Sequence, residues 1–411
     1  MGQQRECERW VERARAVMPW GSSTCSKAPR WLPEEPGAIV RGKGCRVWDA
    51  DGREFIDFRN ALGPITLGYC YPAIDDAVRR QLGSGIIFGQ PHPVEAEVAE
   101  MVCEVIPCAE RARFLKTGGE AIAACIRLAR YHTGRDHVVQ VGYNGWLNSI
   151  ARGGRALPRV VNTSGAPGVP EALCALHHPC GWNDKAKLAD LFETQGSEIA
   201  ALVIAPGYPD MAAGTEFLPL ARELASAHGT VLVFDEIVTG FRLATGGAQE
   251  YFGVTPDMAV FAKGIANGMP LSAYCGKAEI MEKLDTVIVS STYGGEALSL
   301  AAARASIETY RTRHVTGHLW RVGERMWTES NAIYARVGLP LEWRGLWPCP
   351  QIVCTSQDWP GWQGQFYRAA YASGLSLYDI SFVTFSHTDA DVDEALERME
   401  SAAARLASDR A

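Results

Sequence analysis

The chain has 411 residues, 47% of them apolar and 21% charged, with a net charge of −7. That length allows a large core and two or three domains, the lack of any Lys/Arg-rich block argues against a nucleic-acid partner, and no apolar run reaches the roughly 18 residues needed to cross a membrane. The N-terminus carries Arg5, Glu6, Glu8, Arg9, Glu12, Arg13 and Arg15; it lacks the apolar core of a signal peptide and reads as a short amphipathic helix, so a cytoplasmic protein is expected.

Val47–Asp49 and Glu54–Phe58 flank Asp51-Gly52, a strong hairpin-turn dipeptide. Gly42-Lys43-Gly44 nearby has neither the third glycine nor the following helix of a dinucleotide site, which argues against a nicotinamide oxidoreductase. From about residue 60 helices and apolar strands alternate. Ile74–Leu82 and Glu95–Val105 have helical spacing. Arg113–Leu115 reads as a short strand that runs through Lys116-Thr117-Gly118-Gly119-Glu120 into an Ala-rich helix, and His137–Val141 as the next strand. Ala200–Ile204 and Val231–Phe234 are short apolar runs bounded by turn residues, the pattern of buried parallel strands, with helices expected at Asp184–Glu193 and Leu218–Ala227. An α/β fold with a mainly parallel sheet follows. The last hundred or so residues, helical around Gly295–Tyr310 and Asp391–Ala407, look like a smaller α+β domain. The boundaries read as 1–58 (N-terminal segment, part of the small domain), 59–287 (large domain) and 288–411 (C-terminal small domain).

The twelve cysteines include no Cys-x-x-Cys pair and read as free thiols. Cys174, His177, His178 and Cys180 have the right chemistry for zinc but lack a well-spaced second pair; a loop with buried thiols is the better reading, and no metal is expected.

Four segments could carry chemistry. The strand Val231–Phe234 ends on Asp235-Glu236, at the edge where parallel sheets bind ligands; a carboxylate there can hold a protonated ring nitrogen, bind a metal or cap a turn. Asp257–Ala262 ends on Lys263-Gly264, and a lysine at a buried strand end is a good imine-forming nucleophile. Gly118-Gly119 opens a helix, where backbone N–H groups and the helix dipole favour an anion such as phosphate. Tyr143, after a strand end, can stack on a flat ring or fill the core.

Together these segments resemble the class III (ω-type) aminotransferases, in particular the glutamate-1-semialdehyde aminomutase branch. The resemblance rests on Phe234 to Arg242, on Gly246 to Asp257 leading to Lys263, and on Leu67-Gly68-Tyr69, Thr117 to Ala121, Ser291 to Gly295 and Ser386 to Asp389; it runs from about residue 15 to the C-terminus. It implies fold type I of the enzymes that use pyridoxal 5′-phosphate (PLP), with the aspartate aminotransferase-like architecture. It further implies that Lys263 carries PLP as a Schiff base, that Asp235 keeps the pyridine nitrogen protonated, that Tyr143 stacks on the ring, and that Gly118 and Gly119 bind the phosphate. Thr292, with Ser291, is expected to reach the phosphate in the neighbouring subunit of a homodimer with shared active sites.

Five positions depart from the family pattern. Gly119 replaces a Ser or Thr, Asn144 the His of Tyr-His-Gly, Ala205 the Glu of Glu-Pro, and Glu296 an Asn. Lys27 stands where an arginine grips the substrate carboxylate in the aminomutases, and lysine cannot form that bidentate fork. Lys27 and Glu236 are the candidate substrate residues. The expected activity is transfer of an amino group between an amino acid, such as glutamate, and a carbonyl of a sugar-like or aminoglycoside intermediate in antibiotic biosynthesis. An aminomutase or epimerase would use the same residues. A scaffold without activity fits poorly, because both Asp235 and Lys263 are present.

Overall fold

The computed structural model describes residues 5–147, 168–356 and 358–408. They fall into two compact units: residues 72–316, and residues 1–71 together with 317–411. In the two-segment unit, the expected amphipathic helix forms at Glu6–Val17 and buries Cys7 and Val11. Strands β1 (Ile39–Lys43), β2 (Arg46–Asp49) and β3 (Glu54–Asp57) follow as an antiparallel set. Gly52, in the β2–β3 turn, has φ +83°, the left-handed conformation that glycine adopts freely.

The 72–316 unit is built on a seven-stranded sheet. In chain order its strands are β4 (Arg111–Leu115), β5 (His137–Val141), β6 (His177–Cys180), β7 (Ile199–Ile204), β8 (Val231–Asp235), β9 (Met258–Phe261) and β10 (Ser272–Gly276). Their spatial order is β4-β10-β9-β8-β7-β5-β6. The five strands from β9 to β6 run parallel, and β10 runs against both of its neighbours. All six residues of β7 and all five of β8 are buried, which explains why these strands are continuous apolar runs: helices cover both faces of such a sheet. On one face the helix Gly118–Thr133 packs Ala121, Cys125 and Leu128 into a core with Val203, Val233 and Val260.

Two expectations are corrected here. Cys174 to Cys180 is not a loop: His177–Cys180 is the edge strand β6, paired in parallel with β5. The unit boundaries fall at 71/72 and 316/317 instead of 58/59 and 287/288. Residues 59–71 stay with the strands before them, because Tyr69 exchanges two backbone hydrogen bonds of 2.8 Å with Gly44 and its hydroxyl donates to Asp57. The helix Ala297–Thr312 packs on the helices Pro72–Leu82 and Pro93–Val105, which draws it into the large unit.

The two-segment unit is completed by β11 (Leu341–Arg344) and β12 (Gln351–Cys354), an antiparallel pair, and by β13 (Leu375–Ser376), which joins β3 in parallel. Among the described residues no helix is long and apolar enough to cross a membrane. The one described group of side chains close enough to share a metal ion is Cys7, Asp49 and Asp51, and there Arg5 and Arg53 already pair with the two carboxylates.

Candidate active site

Strands β8 and β9 are neighbours in register, with Asp235 opposite Val260, so Asp235 and Lys263 leave the sheet at the same edge. Asp235 is buried. Its Oδ1 accepts the Ile237 N–H at 3.1 Å and its Oδ2 accepts the Asn144 amide at 3.1 Å. Burial pushes its carboxyl up to about 6, against those two donors and the nearby charge of Lys263. A buried carboxylate raised by desolvation is matched to a cationic partner, which would return it to the charged form. Lys263 itself has φ +48°. A non-glycine residue in the left-handed region is uncommon, and such strain concentrates at functional sites.

The glycine turn lies against the same residues. Thr117 caps the helix Gly118–Thr133 in a reciprocal capping box with Glu120. The first-turn amides of Gly118 and Gly119 have no acceptor inside the helix, so they are available to an anion. A Cβ on Gly118 would stand 2.2 Å from Ile237 Cδ1, so a larger residue there would force the Ile237 side chain to move. A Cβ on Gly119 would meet nothing closer than Leu147, at 3.6 Å. That position would accept the hydroxyl residue of the family pattern, and the glycine leaves its space open.

Asn144 is the residue that sequence reasoning missed. It appears in the sequence only as a departure from Tyr-His-Gly, two strand positions from β8 with β7 in between. The chain bridges that gap by turning tightly over the end of β7. Gly142 has φ +74°, and a Cβ on it would lie 2.5 Å from the Ala205 carbonyl. Gly145 has φ +101° and comes down on the glycine turn, where a Cβ on it would be 3.4 Å from Gly119 Cα. The segment therefore links the glycine turn to Asp235. Tyr143, at the start of this crossing, is 56% exposed.

Glu236 is turned to its own loop. It is buried, and its carboxylate accepts from the Ala248 N–H at 2.7 Å, the Gln249 N–H at 2.9 Å and the Thr239 hydroxyl. It anchors the loop 237–249, and a Cβ on Gly247 would come within 2.3 Å of it. Gly247 of the signature thus makes room for a structural carboxylate. Ser291 is half-buried and Thr292 exposed on a turn closed by the Gly294 N–H to Ser291 carbonyl bond of 3.1 Å. Lys27 is exposed at the end of a short 3-10 helix in the two-segment unit. The structure therefore brings together Gly118, Gly119, Asn144, Asp235 and Lys263.

The donor set fits PLP: free amides for a phosphate, a buried carboxylate raised in wait for a ring cation, and an amine at the neighbouring strand end. The comparisons with known proteins agree. The profile for aminotransferase class-III matches residues 29–348. A glutamate-1-semialdehyde 2,1-aminomutase of Aquifex aeolicus is 31% identical over 97% of this chain and 99% of its own. Among solved structures, the FumI protein of Sphingopyxis sp. MTA144, determined in its PLP internal aldimine form, is 27% identical with a TM-score of 0.90, covering 98% of this chain and 97% of that one. A β-phenylalanine aminotransferase from Variovorax paradoxus is 26% identical with a TM-score of 0.83, covering 96% and 93%.

Proposed function

The chain belongs to the class III aminotransferase family, and from that premise we propose a transaminase that moves an amino group between an amino-acid donor, such as glutamate, and a carbonyl of a small sugar-like acceptor. The fold is PLP fold type I, and the cofactor of the family is PLP. When bound, PLP supplies an aldehyde that takes up an amine and a ring that accepts the electrons left when a Cα proton departs.

The chain's own residues supply the rest. Gly118 and Gly119 offer backbone N–H groups to the phosphate. Asp235 would pair with the ring nitrogen and keep its proton in place. Lys263 would hold the cofactor covalently and, freed by an incoming amine, its Nζ would take the substrate's Cα proton and return it to C4′ of the cofactor. The observation that carries this reading is the buried Asp235 carboxylate, raised to about 6, within reach of the Lys263 charge at the common edge of two parallel strands.

The sugar-like acceptor is argued from Lys27, which cannot make the two-pronged grip on a carboxylate that an arginine makes. A second reading is favoured by the aminomutase relative at 31% identity: an aminomutase would return the amino group to its own substrate. A homodimer is supported by the exposed apolar side chains of Ile86, Ile87, Phe88, Ile288 and Tyr293. These border the Ser291-Thr292 turn, and the Ile86 carbonyl accepts the Ala297 N–H at 2.8 Å.

Half-reaction spectroscopy tests the proposal. The PLP form is mixed with amino sugars and amino acids, and conversion to pyridoxamine phosphate is followed. A transaminase converts and releases a keto product. Retention of the amino group in one substrate, with no donor consumed, selects the aminomutase. Lys263→Ala is expected to lose turnover and the near-visible absorbance together; a variant that still turned over would remove Lys263 from its role.

A further inference from the structure

Asp235 has two partners from the protein, and they differ in kind. The Ile237 amide is backbone and invariant to substitution. The Asn144 amide is a side chain delivered across the end of β7 by two left-handed glycines, Gly142 and Gly145. Asn144 is 1% exposed, and its Oδ1 has no hydrogen-bond partner among the described residues. A buried amide carbonyl without a donor is unfavourable, so whatever retains Asn144 acts through Nδ2, the end that meets Asp235.

We propose that Asn144 is a positioning residue that holds the proton of the cofactor ring on nitrogen, by donating to Asp235 Oδ2 and so keeping that carboxylate the weaker base of the two. The proposal rests on the PLP reading above. With one donor on each oxygen, the carboxylate is fixed in rotation. A carboxylate that loses a donor becomes more basic, and a proton shared between Asp235 and a ring nitrogen then moves toward Asp235. A ring without that proton is a poorer electron acceptor. An amide does not titrate, so the donor is present at every working pH.

The other groups around Asp235 act differently. Lys263 lowers its pKa by charge but is consumed in anchoring the cofactor. Cys125, from the helix Gly118–Thr133, is fully buried and its thiol is pushed up by desolvation, with Asp235 itself adding to the shift, so it stays neutral. Glu236, next in the chain, is occupied by the Ala248 and Gln249 amides.

The test uses full-length protein loaded with ring-15N PLP. In the wild type the ring nitrogen resonance is expected at the protonated position between about pH 6 and 9. In Asn144→Leu it should move toward the unprotonated position, and the cofactor dissociation constant, measured by reconstituting apo-protein, should rise about tenfold, the scale of one charge-assisted hydrogen bond. Asn144→His, which restores a donor of different shape, should return the resonance to the protonated position. If Asn144→Leu does not fold, Asn144→Ala gives the same reading. A donor-less variant that keeps the protonated signal throughout overturns the role of Asn144 while leaving PLP in place. A wild type that binds no PLP overturns both readings.

Discussion

Gly118 and Glu236 sit on either side of Asp235 and illustrate two reasons for a residue to be fixed. At Gly118 the reason is space. An alanine there would press a methyl into Ile237 Cδ1 at 2.2 Å, and Ile237 supplies the N–H that holds Asp235 Oδ1. Gly118→Ala is therefore expected to weaken PLP binding at least tenfold, about 1.4 kcal/mol, with Ile237→Val in the same chain restoring part of it; fluorescence titration of apo-protein reads both. At Glu236 the reason is satisfaction of buried donors. Glu236→Gln would turn an amide NH2 toward the Ala248 or Gln249 N–H, a donor against a donor. A loss of roughly 1–3 kcal/mol in unfolding free energy is expected, with KM unchanged in the enzyme that remains folded. A raised KM without loss of stability would return Glu236 to the substrate. The sequence gives Glu236 no structural role of its own, because it stands beside Asp235 at the end of the same apolar strand. What distinguishes them is the loop 237–249 folding back over one and not the other.

At the scale of elements, the departure at Glu296 is balanced by a partner. Its carboxylate caps the helix Ala297–Thr312 through the Leu298 and Ser299 amides, and it accepts from Lys116 Nζ at 2.7 Å. Lys116 also donates to the Pro270 carbonyl at 3.1 Å, so it ties the strand before the phosphate turn to the loop before β10 and to this helix. Those donors outweigh burial and hold the Glu296 carboxyl below its ordinary value. Lys116→Met removes a half-buried partner and should destabilise by about 1–2 kcal/mol, the scale of one hydrogen bond to a charged group, and Glu296→Asn in the same chain should recover more than half of that in denaturant melts. Equal loss in the single and double variants would deny the coupling. Elements of this kind show how far the sequence alone reaches. The parallel strands β7 and β8 are legible because burial on both faces makes them unbroken apolar runs. β6 is not, since His177-His178-Pro179-Cys180 is an edge strand with little apolar character and takes its conformation from pairing with β5. The helix Ala297–Thr312 is legible as a helix, but its membership of the large unit depends on which faces it meets, and that is set by packing. The Asp235–Lys263 pairing is legible because each closes its own strand, while Asn144 is hidden because its contact spans two strands.

At the scale of the whole molecule, sensitivity to acid can be traced to buried neutral groups. His387 is fully buried and stacked on Phe58, with ring centroids 4.6 Å apart; its Nδ1 accepts from the Thr384 N–H at 3.0 Å. Burial pulls its pKa down from 6.5 to about 3. Above 6.5 the imidazole is neutral in the folded and unfolded chain alike, and its contribution to stability is complete. Between 6.5 and about 3 the unfolded chain binds a proton that the folded chain refuses, so stability falls as pH falls. One such group gives a slope of at most about 1.4 kcal/mol per pH unit. His318 is shifted in the same direction by its own burial and adds to the trend. Asp391, held near 2 by Thr388 and Arg46 despite its burial, contributes stability that is lost only as pH drops from 3.8 toward that value. The two windows overlap only between 3.8 and about 3, with histidine titration above that range and carboxylate titration below it. His387→Gln keeps an acceptor for the Thr384 N–H but cannot take up a proton. Its unfolding free energy, measured in urea at successive pH values from about 7 down to 4, should fall less steeply than that of the wild type. The two curves should converge toward the acid end even if the variant starts lower at neutral pH. Parallel curves would mean that His387 is protonated in the folded protein, and that the acid sensitivity of this fold lies elsewhere.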